Sequence, residues 1–238
     1  MFADLGAEHD VREVWLGLAT ASRRLGDPTR AAEALSRALQ RHVVDPAFIW
    51  QADAIAREAG APGWCGLSAE GEPVIRRSPC CPHASRGPRA APRRRGKAFL
   101  VTSPDGRHFL GSPIAIDAIR ATAGCVAVKD GGLAGWAWFP GDPGRDPLLT
   151  IRPVRGHGTI TLLASDMDAT IDAAGLLARP RGFVVPAAAL AGTHGPLRVL
   201  DGDGQDLLGS PLSPEAERQA EKAARPVALT ISSKPLRA

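Results

Sequence analysis

The sequence predicts an α plus β protein with its two kinds of structure in separate parts: an N-terminal helical hairpin or small bundle, then an antiparallel β-sandwich. Three observations predict this. The 26 Gly and 21 Pro cluster in the middle and later parts, whereas the first 60 residues are rich in Ala, Leu, Arg and Glu. Apolar residues in that first stretch recur at helical spacing, and after about residue 97 they fall in short runs between Gly, Pro and Asp. The organisation expected is a helical segment at 1–63, a partial strand unit with an Arg/Pro-rich linker at 64–96, the sandwich at 97–214 and a charged tail at 215–238.

The first helix is read from Val11, Val14, Trp15, Leu18 and Ala21, and Gly26-Asp27-Pro28 stops it and starts the next. The second, 28–41, turns Ala31, Leu35, Ala38 and Leu39 inward, small beside large, as closely packed antiparallel helices require. Trp15 and Leu18 followed by Ala31, Leu35 and Ala38 resemble a tetratricopeptide repeat, although Ala19 and Ser22 stand where that family prefers Gly and an aromatic, and Pro46 comes three residues late. A third helix, 46–59, carries Phe48, Ile49, Ala52, Ile55 and Ala56 and ends at Gly60-Ala61-Pro62-Gly63. So short a solenoid must lean on a neighbour, because such arrays need about three repeats to stand alone.

Residues 73–96 hold five prolines and few periodic apolar residues and are expected as a disordered linker. Between Arg76 and Lys97 lie eight basic residues and no acidic one, so the formal charge of +4 belongs to this segment and the remainder is net acidic. Beyond it, strands are expected at 99–102, 125–128, 133–139, 148–154, 159–163, 183–185 and 197–200, with a helical excursion at 166–177. Residues 99–114 also align without gaps on 197–212 at an offset of 98, sharing a Val, an Asp-Gly and a Leu-Gly-Ser-Pro. Each Asp-Gly suits a hairpin turn, and each Pro ends a strand because it cannot donate to a ladder. Two related units follow, the second starting near Gly124 and the first near 64–75; the Arg/Pro linker stands where the first should hold more strands, through a degenerate unit or a local frameshift.

Three phrases in order carry a resemblance: Gly63-Trp64-Cys65-Gly66-Leu67, then Gly131-Gly132-Leu133-Ala134-Gly135-Trp136-Ala137-Trp138 with Pro140, Asp142 and Pro143, and the repeated Leu-Gly-Ser-Pro. Over about 10–75 and 97–214 the chain is similar to the N-terminal, non-catalytic extension of bacterial family 2 glycosyltransferases. The resemblance implies degenerate tetratricopeptide helices, immunoglobulin-like sandwich units and a catalytic α/β nucleotide-sugar domain after them. After Pro214 the sequence offers only a charged stretch and one apolar run, 227–231, so transferase activity is not carried over to these residues.

Chemistry-bearing patterns are sparse. Asp166-Met167-Asp168 has the Asp-x-Asp form that holds a metal and a nucleotide diphosphate, but Asp166 is expected to cap a helix. Asp201-Gly202-Asp203-Gly204 lacks the rest of a calcium loop and reads as a hairpin turn. Cys80-Cys81-Pro82-His83 has no second ligand pair at zinc spacing, and His9, His42, His108, His157 and His194 suggest no catalytic triad. No cofactor, metal or nucleophile is assigned, and the chain itself is read as non-catalytic.

Trp136 and Trp138, two apart on a strand, share one face, with Ala137 on the other. They are the candidate ligand-binding residues: inward they are core, outward a platform on which sugar rings stack. The basic segment lacks the interleaved aromatics of a nucleic-acid site and is expected as a solvated linker. With no membrane-spanning run or secretory leader, a cytoplasmic location is expected, and Cys65, Cys80, Cys81 and Cys125 as thiols. The function expected is an accessory or scaffold module of a bacterial glycosyltransferase, acting by protein or weak glycan contact. A truncated transferase and a basic nucleic-acid-binding adaptor are the alternatives.

Overall fold

A computed structural model describes residues 10–79, 98–167 and 179–216, together with the backbone of 89–91. His9, the Cys80–His83 group, Asp168, nearly all of the expected excursion, most of the basic segment and all but the first two residues of the charged tail lie outside the described residues. The chain divides into two compact units, one of 1–124, 136–147 and 163–182, the other of 125–135, 148–162 and 183–238. Helices come first and small antiparallel sheets follow.

In the first unit, α1 (Arg12–Arg24) and α2 (Pro28–Arg41) form the hairpin. Pro28 opens α2 where its missing N–H costs nothing, and the Asp27 carboxylate accepts the Arg30 N–H at 2.9 Å as the cap. A 3-10 turn, Pro46–Phe48, leads into α3 (Ile49–Glu58), and Asp45 caps that turn through the Ala47 N–H. Trp15, Leu18, Ala31, Leu35, Ala38, Ala52 and Ile55 share one core with Trp64 from beyond the helices. Leu35 and Ile55 are wholly buried, so either truncated to Ala costs about 2–5 kcal/mol.

Next come β1 (Gly63–Leu67) and β2 (Pro73–Arg77), antiparallel with Gly63 opposite Arg77 and Leu67 opposite Pro73. The expected linker therefore starts too early: 73–77 is strand. Pro73 is tolerated as its first residue, and β-branched Val74 and Ile75 follow. The sheet β3 (Arg89–Ala91), β4 (Ala98–Thr102) and β5 (Ile114–Ala115) comes after, then the short α4 (Ile116–Arg120). A second core of this unit joins Val43, Cys65, Leu67, Val101, Phe109, Ile114 and Ile119. Residues 98–124 thus pack with β1 and the helical hairpin.

The remaining strands are β6 (Ala123–Lys129), β7 (Gly132–Trp138), β8 (Leu148–Pro153), β9 (Ile160–Leu163), β10 (Arg181–Val185) and β11 (Leu197–Leu200). They form two sheets of order β10-β7-β6 and β11-β8-β9. A two-residue turn, Asp130-Gly131, joins β6 to β7 with both residues at positive φ, the geometry that matches strand twist. Leu133, Val126, Phe183 and Val185 are buried in the second unit, as are Leu149, Ile151, Leu197 and Val199.

The internal sequence match is a structural duplication. Trp64 bridges Leu110 in parallel, and Cys125 bridges Leu208. Thr102 pairs with His108, and Leu200 with Asp206. The Ser112 hydroxyl accepts the Val101 N–H at 2.9 Å, and the Ser210 hydroxyl accepts the Val199 N–H at 2.9 Å. Both Ser-Pro bonds, 112–113 and 210–211, are cis. The likeness extends beyond the matched residues: Arg89 opposes Thr102 as Thr150 opposes Leu200, so β3 corresponds to β8, and β1 and β2 correspond to β6 and β7. Among the described residues the first copy has no counterpart of β9 or β10.

Candidate functional site

On β7 the alternation is as the sequence requires: Ala137 is fully buried, and Trp136 and Trp138, on the other face of the strand, are each only half-buried. The two rings lie neither in the core with Leu133 and Ala137 nor fully in solvent. A half-covered aromatic pair on a rigid strand offers apolar faces at low entropic cost, the requirement for stacking on a sugar ring. Gly124 lies beneath the pair's backbone, and a Cβ there would stand 2.6 Å from the Trp136 carbonyl oxygen, so the strands approach closely.

The basic segment is not uniformly solvated at its start. Arg76 on β2 makes a 2.7 Å ion pair with Asp53 on α3, and the Trp64 indole N–H donates to the same carboxylate at 2.7 Å. Burial pulls the Asp53 carboxyl upward, but Arg76 and the Trp64 indole outweigh it and hold it below the ordinary range. Trp64 is 1% exposed, so its N–H has no recourse to water and the acceptor on α3 is structural.

A second polar cluster was not legible in the sequence. His42 is buried just beyond α2, its Nδ1 at 3.2 Å from the Pro140 carbonyl and its Nε2 at 3.8 Å from Asp10 Oδ1. Asp10 also accepts from Arg41 and, at 2.8 Å, from the Trp15 indole N–H. Burial would raise the Asp10 carboxyl, yet His42, Arg41 and Trp15 outweigh it and hold it well below the usual carboxylate range. Nearby, the Val43 N–H donates to the Gly141 carbonyl at 2.8 Å. His42 is 2% exposed and so has no open path to a substrate; it joins segments far apart in sequence.

The other sequence candidates stay apart. Asp166 pairs its backbone with Gly182 in an isolated bridge. The Asp201 carboxylate accepts the N–H groups of Asp203 at 3.0 Å and Gln205 at 2.8 Å, satisfying the turn's own backbone. His108, His157 and His194 are exposed. No group of three or more His, Cys, Asp or Glu suited to a metal occurs among the described residues. Burial pushes the Cys65 thiol up to about 12, which makes it an inert core residue. An open cleft of about 400 Å³ lies beside α2, lined by Thr29, Glu33, Ser36, Arg37, Ala61 and Leu110. Its Arg37 is already placed over the Trp15 ring at 5.1 Å.

No helix of the described residues is long and apolar enough to cross a membrane. Comparison with family models, with curated proteins and with solved structures finds no match.

Proposed function

We propose that this chain is a non-catalytic accessory module, of the kind that precedes the catalytic domain in bacterial family 2 glycosyltransferases, and that it acts by protein contact and weak glycan contact. In this reading α1 and α2 are a degenerate tetratricopeptide hairpin, and the duplicated strands are immunoglobulin-like sandwich units, the first shortened. The observation that carries the glycan part is the half-buried Trp136 and Trp138 on the strand face opposite the fully buried Ala137. Aromatic side chains held in this way bind sugars by stacking, with little chemistry besides. Supporting the non-catalytic part, the buried indole N–H groups of Trp64 and Trp15 have structural acceptors: Asp53 takes that of Trp64 and pairs with Arg76, and Asp10 takes that of Trp15 and pairs with Arg41.

The test is a glycan array followed by titration of the full chain, comparing the native protein with Trp136→Ala and Trp138→Ala after circular dichroism shows each variant folded. Binding that is lost in folded variants supports the reading. Binding that survives both substitutions, or no glycan bound at millimolar concentration, removes it and leaves protein contact alone.

A further inference from the structure

The duplication repeats one strand face, and the two copies leave it differently covered. In the first copy that face lies under α2. Leu110 packs against the helical core, the Ser36 hydroxyl accepts the Gly111 N–H at 3.3 Å, and the Gln40 side-chain amide donates to the Ser112 carbonyl at 3.1 Å. A Cβ on Gly66 would stand 3.1 Å from the end of the Leu39 side chain. Trp64, on the same face of β1 as Gly66, is 1% exposed. The helix therefore grips this face with a hydroxyl, a Leu and an amide at positions i, i+3 and i+4, which share one side of it.

The bridges of Trp64 to Leu110 and of Cys125 to Leu208 put Cys125, Ala127, Leu208 and Gly209 at the places of Trp64, Gly66, Leu110 and Gly111. There Ala127 and Gly209 are exposed, Cys125 is half-buried and Leu208 is 77% exposed. A lone exposed Leu needs no explanation. This one opens the same Leu-Gly-Ser-Pro arc that α2 grips in the first copy, with the same strand bridge and the same Ser hydroxyl bond to the backbone. The charge beside the arc differs. Turn 201–206 has three Asp and no basic residue, where 103–108 has one Asp together with Arg107. Asp206 pairs with Arg198, the Asp201 carboxylate accepts from its own turn, and Asp203 is exposed.

We propose that the face of Cys125, Ala127, Leu208 and Gly209 is a docking site for one basic amphipathic helix of a partner protein, seated on the second copy as α2 is on the first. That helix presents a hydroxyl, a Leu and an amide at i, i+3 and i+4. The first half of α2 lies beside Leu110, in the cleft with Thr29, Ala32 and Glu33, and its last turn lies beside Ser112. A helix seated likewise turns its N-terminal half towards 201–206, where basic side chains meet carboxylates. Ala127 in place of Gly66 is accommodated, because the Leu end at 3.1 Å belongs to a flexible side chain, and the tighter 2.6 Å approach to Gly66 comes from Val44, beyond α2. The inference does not rest on the glycan reading, which concerns other residues and another kind of ligand.

The test uses the full chain and a fluorescent peptide with the sequence of residues 27–42, which holds Ser36, Leu39, Gln40 and three Arg. A bridge between positions 34 and 38, on the helix side opposite the first three, keeps it helical. Anisotropy is expected to show saturable binding that weakens about tenfold in Leu208→Ser and in Ala127→Arg and about threefold in Asp203→Lys. Leu148→Ser, at a half-exposed Leu of β8, is expected to bind as the native chain does. The substituted side chains are all exposed, and circular dichroism checks that each variant is folded. Alkylation of Cys125 by iodoacetamide provides an independent reading, fast in the free chain and slowed at saturating peptide. Equal binding by a folded Leu208→Ser, equal loss in Leu148→Ser, or no binding at millimolar peptide would each overturn the proposal. So would a Cys125 already resistant in the free chain, which would mean that the chain covers this face itself, or a dimer in sedimentation that Leu208→Ser dissolves, which would give the face to a second copy.

Discussion

Asp53 on α3 accepts the indole N–H of Trp64 on β1 at 2.7 Å, so the helical and strand parts of the first unit share a polar contact at the edge of their common core. Removing the acceptor strands a buried donor. Asp53→Ala is expected to lower stability by about 1–3 kcal/mol, the cost of an unsatisfied buried group. Arg76→Ala, which removes a half-exposed ion-pair partner, is expected to cost at most about 1 kcal/mol. Urea midpoints at constant slope measure both, and the reverse order would show that the ion pair, not the indole contact, is the stronger tie.

Acid should weaken the first unit through the same groups. Asp53 and Asp10 are both held below the ordinary carboxylate range in the folded chain. A carboxylate depressed on folding stabilises the fold above its unfolded value of about 3.9, and that stability is lost as pH falls through the folded value. The melting temperature is expected to be flat near neutrality with respect to these two groups and to fall below about pH 4. Asp10→Asn should lower it at pH 7 and make the acid slope shallower. A slope identical to that of the native chain would exclude Asp10 as a contributor.

The helices were legible because their signals are local. The first, read from Val11 to Ala21, runs Arg12–Arg24, the second, expected at 28–41, runs Pro28–Arg41, and the Asp27-Pro28 start is the observed cap. Strands with continuous apolar runs, such as β7, β8 and β11, were equally plain. β2 was not: it begins with Pro, ends with two Arg and has only Val74 and Ile75 between, and its pairing partner and the Asp53 contact lie outside any local window. The His42 cluster was hidden for the same reason, since Asp10 and Pro140 reach it from far along the chain. The Trp136/Trp138 alternation was legible, but which face is covered depends on packing the sequence does not display.

Thiol reactivity separates two of the cysteines. Cys65 is fully buried with its thiol pushed up to about 12, so at pH 8 almost none is thiolate. Cys125 is half-buried. Iodoacetamide on the native chain, read peptide by peptide in a mass spectrometer, is expected to modify Cys125 well before Cys65, and in denaturant the two should react alike. Prompt native labelling of Cys65 would contradict its place in the core.

The duplicated arcs offer a test that needs no ligand. Gly111 and Gly209 sit at the same point of the two copies, with φ of +83° and +95°, and a Cβ on either would stand 2.2 Å from a carbonyl oxygen, of Cys65 in one copy and Val126 in the other. An Ala at either position meets two penalties. The left-handed conformation alone costs an L residue about 1–2 kcal/mol. The contact with a backbone carbonyl adds to it, because neither strand can yield without breaking its bridge to Leu110 or Leu208. Gly106 separates the penalties: its φ is +84° but nothing lies within 4 Å of its would-be Cβ. Gly106→Ala is therefore expected to lose only the conformational part, and Gly111→Ala and Gly209→Ala to lose more than about 4 kcal/mol each, a loss reserved for a broken core contact. Thermal and urea denaturation of the three variants decide it. A mild Gly209→Ala beside a severe Gly111→Ala would mean that the second arc is looser than its geometry implies, and that the two copies share a shape without sharing its energetics.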